Sequence, residues 1–141
     1  MKILFVCSGN SGRSPMAQFV MKDLVNKAGL SEKISVASAA SKPVKGETLH
    51  QGIAAKLRYE NIPIDVHFAR TITPDDYASS DMIVCVDEKS ASEVKELLGG
   101  DPDAKISKLL DEDIPWDKNG FAKTFDDILS GCKTLLEKIS R

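Results

Sequence analysis

The sequence contains few of the residues on which several classes of protein depend. Its 141 residues include only three cysteines, two histidines, two tyrosines and one tryptophan. The cysteines, Cys7, Cys85 and Cys132, form no Cys-x-x-Cys pair, so we predict neither a metal site nor a disulfide framework. The apolar run at residues 3–7 is too short for a secretory segment or a membrane span. We therefore expect a cytoplasmic protein that does not bind membranes.

An excess of charge of one sign is also missing. The 19 lysines and arginines nearly balance the 21 aspartates and glutamates, which leaves a net charge of -2. A surface that binds nucleic acid carries excess positive charge, so we predict no nucleic-acid partner. The composition, 42% hydrophobic and 28% charged, is that of a globular protein. The length predicts a single domain over residues 1–141.

Short apolar runs alternate with amphipathic segments along the chain. Runs of strand length lie at residues 2–6, 33–38 and 80–87 and near 104–110. Helical spacing of apolar residues is found from Ser14 to Gly29, over 48–60 and 90–98, and along a C-terminal segment from about Phe121. This alternation predicts an α/β fold with a parallel sheet covered on both sides, and a ligand site at the carboxyl ends of the strands.

The segment CSGNSGRSP, residues 7–15, lies between the first predicted strand and the first predicted helix. Two glycines and an asparagine suit a backbone whose N–H groups turn inward around an anion, because Gly9 and Gly12 can adopt positive φ at little cost and Asn10 tolerates it better than most residues. Such a loop would bind phosphate through Ser8, Gly9, Asn10, Ser11, Gly12, Arg13 and Ser14.

The same segment contains the groups needed for nucleophilic attack on phosphorus. The planar guanidinium of Arg13 can bind two oxygens of a phosphoryl group. The N-terminus of the helix that begins at Ser14 and Pro15 favours negative charge, so it would stabilise a thiolate at Cys7. The sequence therefore predicts a cysteine nucleophile in a phosphate-binding loop, with Ser14 as hydrogen-bond donor to the thiolate.

This loop, which reads VCSGNSGRSP, resembles that of the low-molecular-weight protein tyrosine phosphatases, V-C-x-G-N-x-x-R-S-P. The resemblance continues through SAAS (38–41), HFARTITPDDY (67–77) and DMIVCVDE (81–88), so it covers nearly the whole chain. It implies a four-stranded parallel sheet of the flavodoxin-like, phosphotyrosine phosphatase I-like type. It also implies hydrolysis of a phosphorylated protein or peptide through a cysteinyl-phosphate, without a metal or cofactor.

The resemblance assigns roles by position. Cys7 would be the nucleophile and Arg13 would bind the transition state. A hydrogen-bond network that holds the loop would consist of Asn10, Ser38 and His67. His50 has no such support, so we expect it on a solvated helix face.

Two positions depart from the family pattern and leave alternatives open. Gly12 stands where the family often has a second cysteine, able to protect the nucleophile from oxidation. Ser11 replaces a common apolar residue and is similar to the threonine of the arginine-phosphate-specific branch, so a protein arginine phosphatase is an alternative. An arsenate reductase on the same scaffold would need further thiols near the site, whereas Cys85 and Cys132 are predicted core residues.

A general acid is needed to protonate the leaving oxygen. The family supplies it from an Asp-Pro loop, which this chain replaces with DEDIPWDKNGF, residues 111–121. Counting back from Phe121 favours Asp113, with Asp117 as the alternative and Asp111 as a third candidate. Trp116 could line the pocket or anchor the loop. If the acid is lost, the protein would be a catalytically weakened phosphate-binding module.

The segment SKPVKG, residues 41–46, has lysines where the family often has aromatic residues around the pocket. This predicts a preference for phosphorylated peptides with acidic residues.

Overall fold

The computed structural model describes residues 1–117 and 119–140. In chain order its elements are β1 (Lys2–Cys7), α1 (Arg13–Lys27), β2 (Ser35–Ala40), α2 (Gln51–Tyr59), α3 (Pro74–Ser79), β3 (Met82–Cys85), α4 (Glu88–Leu98), β4 (Ile106–Lys108) and α5 (Ala122–Ile139).

The four strands form one sheet in the order β2-β1-β3-β4, and every pair is parallel. This confirms the predicted α/β class and the four-stranded parallel sheet. The strand β1 lies between β2 and β3, with Cys7 opposite Ala40 and Val6 opposite Cys85. The residues that follow β1 therefore leave from the middle of the carboxyl edge of the sheet.

Side chains of β1 alternate between two hydrophobic cores. Ile3 and Phe5 pack in a core with buried residues of α1, α2 and α5, whereas Leu4 and Val6 pack on the other face with α4. Because side chains along a strand alternate between the faces, Cys7 continues the first set. Its thiol therefore lies on the same face of the sheet as α1.

The structure adds one helix that the sequence pattern did not predict, α3. It begins with a capping box in which Thr73 accepts from the backbone N–H of Asp76 and the Asp76 carboxylate accepts from the N–H of Thr73. The sequence Thr-Pro-Asp-Asp carries this signal, but a six-residue helix is too short to show a periodic apolar face. The strand β2 also begins two residues later than predicted, at Ser35. Within residues 1–117 and 119–140, no helix has the length and apolarity to cross a bilayer.

Candidate active site

The loop after β1 surrounds a cavity of about 180 Å³ at the carboxyl end of the strand, where the topology predicted a ligand site. The cavity is lined by Cys7, Gly9, Asn10, Ser11, Gly12, Arg13 and Trp116. Six of these residues belong to the predicted phosphate loop, and the seventh comes from the loop after β4.

The thiol of Cys7 lies at the centre of a buried hydrogen-bond arrangement. Its sulfur is 3.0 Å from Ser14 Oγ and accepts the backbone N–H of Asn10 at 3.2 Å. Asn10 Nδ2 also donates to Ser14 Oγ at 2.9 Å, so the Ser14 hydroxyl hydrogen is available for the sulfur. Two donors therefore point at Cys7 Sγ, an arrangement that stabilises a thiolate.

Of the three residues that can adopt the left-handed region, the loop uses one. Asn10 has positive φ, at 52°, whereas Gly9 and Gly12 do not. Gly12, with φ -132°, instead occupies the N-cap of α1. In the part of the chain that the structure describes, the N–H groups of Ser11 and Gly12 donate to no protein acceptor, so they are available for an anion.

Asn10 is held from outside the loop by two residues of the segment before α3. His67 Nε2 donates to the Asn10 carbonyl oxygen at 2.6 Å, and the backbone N–H of Arg70 donates to Asn10 Oδ1 at 3.1 Å. Ser38 is different from the prediction, because its hydroxyl donates to Gln18 Oε1 at 2.6 Å on α1 and not to the loop. Among the described residues, the hydrogen bonds to Asn10 from outside the loop therefore come from His67 and Arg70.

Arg13 is bound on one side by two groups that the sequence had not identified. Its Nη1 donates to Asp87 Oδ2 at 2.7 Å and to the Ile114 carbonyl oxygen at 2.6 Å. Burial raises the pKa of Asp87, but hydrogen bonds from Ser90 and Arg13 outweigh it, so the pKa lies below the ordinary value. The carboxylate is therefore ionised, and its position at the end of β3, just before α4, was the sequence signal that could have found it.

Ser8 lies at the edge of the loop, and its side chain does not line the cavity. The hydroxyls of Ser8 and Ser41 both donate to Glu93 Oε1 at 2.8 Å, and Lys42 Nζ is 3.2 Å from Glu93 Oε2. Its predicted role in phosphate binding thus finds no support from its side chain. Glu93 instead connects the start of the phosphate loop to the segment after β2.

Trp116 both lines the cavity and packs in an aromatic cluster, so the two alternatives for this residue are combined. Its ring contacts His50 and Phe121, with centroids 5.1 Å away in each case. A Cβ atom on Gly12 would be 2.3 Å from Trp116 Cζ3, so only glycine permits this contact. His50 is exposed at the start of α2, as predicted, but it is the N-cap of that helix and its ring contacts Trp116.

The candidate acids lie outside the cavity lining. Asp113 Oδ1 accepts from Lys108 Nζ at 2.7 Å and from the backbone N–H of Glu88 at 2.9 Å. These two contacts lower the pKa of Asp113, which is opposite to the requirement of a general acid. Asp117 Oδ1 accepts the backbone N–H of Asn119 at 3.0 Å, and Asp111 is exposed.

The remaining cysteines are buried core residues, and neither lines the cavity. Burial raises the pKa of Cys85 to about 12 and also raises the pKa of Cys132, so both are neutral thiols. This arrangement lacks the relay of reactive thiols that an arsenate reductase needs. Within the described ranges, no group of three or more His, Cys, Asp or Glu side chains could hold a metal ion.

Comparison with known proteins identifies relatives over nearly the full length. Residues 2–141 match the family described as low molecular weight phosphotyrosine protein phosphatase. The low molecular weight protein-tyrosine-phosphatase YfkJ of Bacillus subtilis is 33% identical over 149 residues, which cover 99% of this chain and 96% of YfkJ. The low molecular weight phosphotyrosine protein phosphatase of Homo sapiens is 32% identical over 152 residues, with 96% and 94% covered.

The fold agrees with the sequence comparison. The crystal structure of YfkJ from Bacillus subtilis superposes on the chain with a TM-score of 0.94 at 32% identity, covering 99% of this chain and 94% of YfkJ. The family match extends over residues 2–141. The shared fold and the thiol in the phosphate loop support the same family. The chain therefore belongs to the low molecular weight phosphotyrosine protein phosphatase family.

Proposed function

We propose that the protein hydrolyses phosphotyrosine in proteins or peptides, with Cys7 as the nucleophile. The observation that carries this proposal is the pair of donors, Ser14 Oγ and the Asn10 N–H, at Cys7 Sγ. A core cysteine needs no such donors, whereas a nucleophile that must be ionised does. The names of the relatives agree with this substrate class.

The reaction has two displacement steps at phosphorus. In the first, the Cys7 thiolate forms an S–P bond while the P–O bond to the tyrosine breaks, and the leaving oxygen takes a proton from an aspartic acid. In the second, water attacks phosphorus, the aspartate accepts its proton and the S–P bond breaks. Ser14 stabilises the departing thiolate, and free donors of Arg13 bind the equatorial oxygens.

We assign the acid to the loop after β4 and favour Asp117 over Asp113. Asp117 directly follows Trp116, which lines the cavity, and among the described residues its side chain accepts one backbone N–H, from Asn119. Asp113 is held by Lys108 and must leave this ion pair before it can serve as the acid. This reverses the order that the spacing to Phe121 had favoured.

Variants of the two aspartates test this assignment. Asp117→Asn should lower kcat for a phosphotyrosine peptide by about 100-fold or more, because general acids contribute about 10²–10⁴. Asp113→Asn should have a much smaller effect. The leaving group of p-nitrophenyl phosphate needs little protonation, so Asp117→Asn should lower kcat for this substrate far less. If Asp113→Asn is the more damaging variant, the assignment is wrong.

Cys7→Ser tests the mechanism itself. It should abolish turnover while inorganic phosphate still binds in the cavity. Full turnover by Cys7→Ser would reject the cysteinyl-phosphate route. If the unaltered protein binds phosphate but hydrolyses neither phosphotyrosine nor phosphoarginine peptides, it is the catalytically weakened module.

Phosphoarginine remains a competing substrate because Ser11 lines the cavity in place of an apolar residue. Direct comparison of kcat/KM for phosphoarginine and phosphotyrosine peptides distinguishes them, and a large preference for phosphoarginine would overturn the tyrosine assignment. We also propose selection of acidic peptides by the exposed Lys42 and Lys45.

A cytoplasmic location fits this chemistry, since a free thiolate persists only in a reducing compartment.

A further inference from the structure

Three aromatic rings form a closed cluster beside the cavity: His50, Trp116 and Phe121. The His50 ring is perpendicular to the Trp116 ring, at 88° and 5.1 Å between centroids, and contacts Phe121 at 71° and 5.4 Å. Trp116 and Phe121 are 5.1 Å apart at 46°. Near-perpendicular pairs at these distances are favourable for aromatic rings. Trp116 therefore contacts two rings, although Trp116 and His50 both lie at the surface.

Two glycines make room for this aromatic cluster. A Cβ atom on Gly12 would lie 2.3 Å from Trp116 Cζ3, and one on Gly52 would lie 2.4 Å from Phe121 Cε2 and 3.1 Å from His50 Cε1. Real side chains do not approach this closely. The cluster is thus closely packed against the phosphate loop on one side and against α2 on the other.

His50 makes two hydrogen bonds, one through its backbone and one through its ring. Its N–H donates to the Ser11 carbonyl oxygen in the phosphate loop at 2.8 Å. Its Nδ1 accepts the N–H of Gly52 in the first turn of α2 at 3.0 Å. One residue therefore contacts both the loop that binds the phosphoryl group and the ring that lines the cavity.

We propose that His50 is a positioning residue that acts through Trp116. Its ring holds the indole against Gly12 and so sets the space available to the group that carries the phosphate. This inference rests on the proposed function, because it concerns binding of the tyrosine ring. The phosphoryl site does not depend on the His50 ring, since the bond to Ser11 comes from the His50 backbone.

Two substitutions separate the ring of His50 from its hydrogen bond. His50→Asn keeps an N-cap acceptor but removes the ring, whereas His50→Phe keeps a ring but removes the acceptor. We expect His50→Asn to raise KM for a phosphotyrosine peptide by about three- to tenfold, the range for losing one aromatic pair, with kcat little changed. His50→Phe should raise KM by less than about twofold. Inhibition by inorganic phosphate should be unchanged in both.

Two outcomes would reject the proposal. In one, His50→Asn leaves KM unchanged. In the other, it weakens phosphate inhibition as much as peptide binding, which would indicate general damage to the loop. A larger effect of His50→Phe than of His50→Asn would assign the role to the cap and would also reject it.

Fluorescence gives a second measurement that needs no turnover, because Trp116 is the single tryptophan of the chain. His50→Asn should increase acrylamide quenching of Trp116. Gly52→Ala, which lies outside the cavity and displaces His50 and Phe121, should do the same. Unchanged quenching in both variants would show that His50 does not hold Trp116. Absence of phosphatase activity in the unaltered protein would reject the proposed function and leave this second measurement valid.

Discussion

At Gly12 the phosphate loop contacts the indole of Trp116 so closely that no side chain fits between them. The glycine is needed for this contact, because any Cβ atom would overlap the indole. A cysteine at this position, as the family often has, would displace Trp116. The loss of a second thiol and the presence of a tryptophan in the cavity wall are thus linked in this chain.

Gly12→Ala should therefore damage the site. Overpacking of this kind costs about 1–3 kcal/mol, so we expect kcat/KM for a phosphotyrosine peptide to fall by roughly five- to 100-fold. Trp116 emission should shift as the indole moves. Gly9→Ala is the matched comparison in the same loop, because its Cβ would approach only Ser11 Oγ, at 4.0 Å. Equal losses in the two variants would contradict the steric explanation.

Local and distant residues differed in how well the sequence predicted them. Cys7 and Arg13 were recognised because nucleophile, loop and helix start lie within one short segment. Asp87 and Glu93 were missed because they reach this loop from α4 and its N-cap, and one sequence gives no pairing between distant segments. The contact of Gly12 with Trp116 was missed for the same reason, because Trp116 comes from the loop after β4.

At the scale of elements, the segment at residues 41–46 borders the phosphate loop. The backbone N–H groups of Ser41 and Lys42 donate to the carbonyls of Cys7 and Ser8, at 3.0 and 3.3 Å. The exposed Lys42 Nζ pairs with Glu93, while Lys45 is also exposed. Lys42 thus lies beside the phosphate loop, and Lys45 belongs to the same segment.

This segment predicts a salt-dependent preference for acidic phosphopeptides. Raising ionic strength from about 0.05 to 0.3 M should lower kcat/KM for an acidic phosphopeptide several-fold, since exposed charges are screened beyond about 10 Å at 0.1 M. The double variant Lys42→Gln and Lys45→Gln should show a weaker dependence on salt. A neutral phosphopeptide is the control. The same salt response with acidic and neutral peptides would contradict the preference.

Helices and strands with long apolar patterns were predicted well, because burial on one or both faces of a sheet imposes a period on the sequence. The sequence pattern did not predict the boundaries of β2, and it did not predict α3 at all. The helix α3 depends on the capping residues Thr73 and Asp76, whose signal is local and hydrogen-bonded and has no hydrophobic period.

For the whole molecule, four partly buried carboxylates make stability depend on pH. Burial raises the pKa of each, but hydrogen bonds outweigh it and hold the pKa below the ordinary value. These carboxylates are Asp76, Asp87, Glu93 and Asp101. A lowered folded-state pKa means that the stabilisation is complete above the ordinary values, 3.8 for aspartate and 4.5 for glutamate, and is lost as the pH falls through the folded-state pKa.

The urea midpoint of unfolding should therefore fall between pH 7 and pH 3, with little change in the slope m. Asp76→Asn is the informative variant, because Asp76 accepts from Arg70 and caps α3. It should be less stable than the unaltered protein at pH 7 and closer to it at pH 3. An equal deficit at both pH values would contradict a contribution from the ionised carboxylate.

The bonds from Arg13 Nη1 to Asp87 and to the Ile114 carbonyl have an entropic consequence. A free arginine side chain has rotamer entropy worth about 2 kcal/mol, and part of this entropy is lost when the side chain binds a ligand. Here Asp87 and Ile114 restrict the rotamers when the chain folds, so this loss precedes substrate binding. The remaining donors of the guanidinium can meet a phosphoryl group with little further ordering, so we expect a smaller entropic cost of phosphate binding.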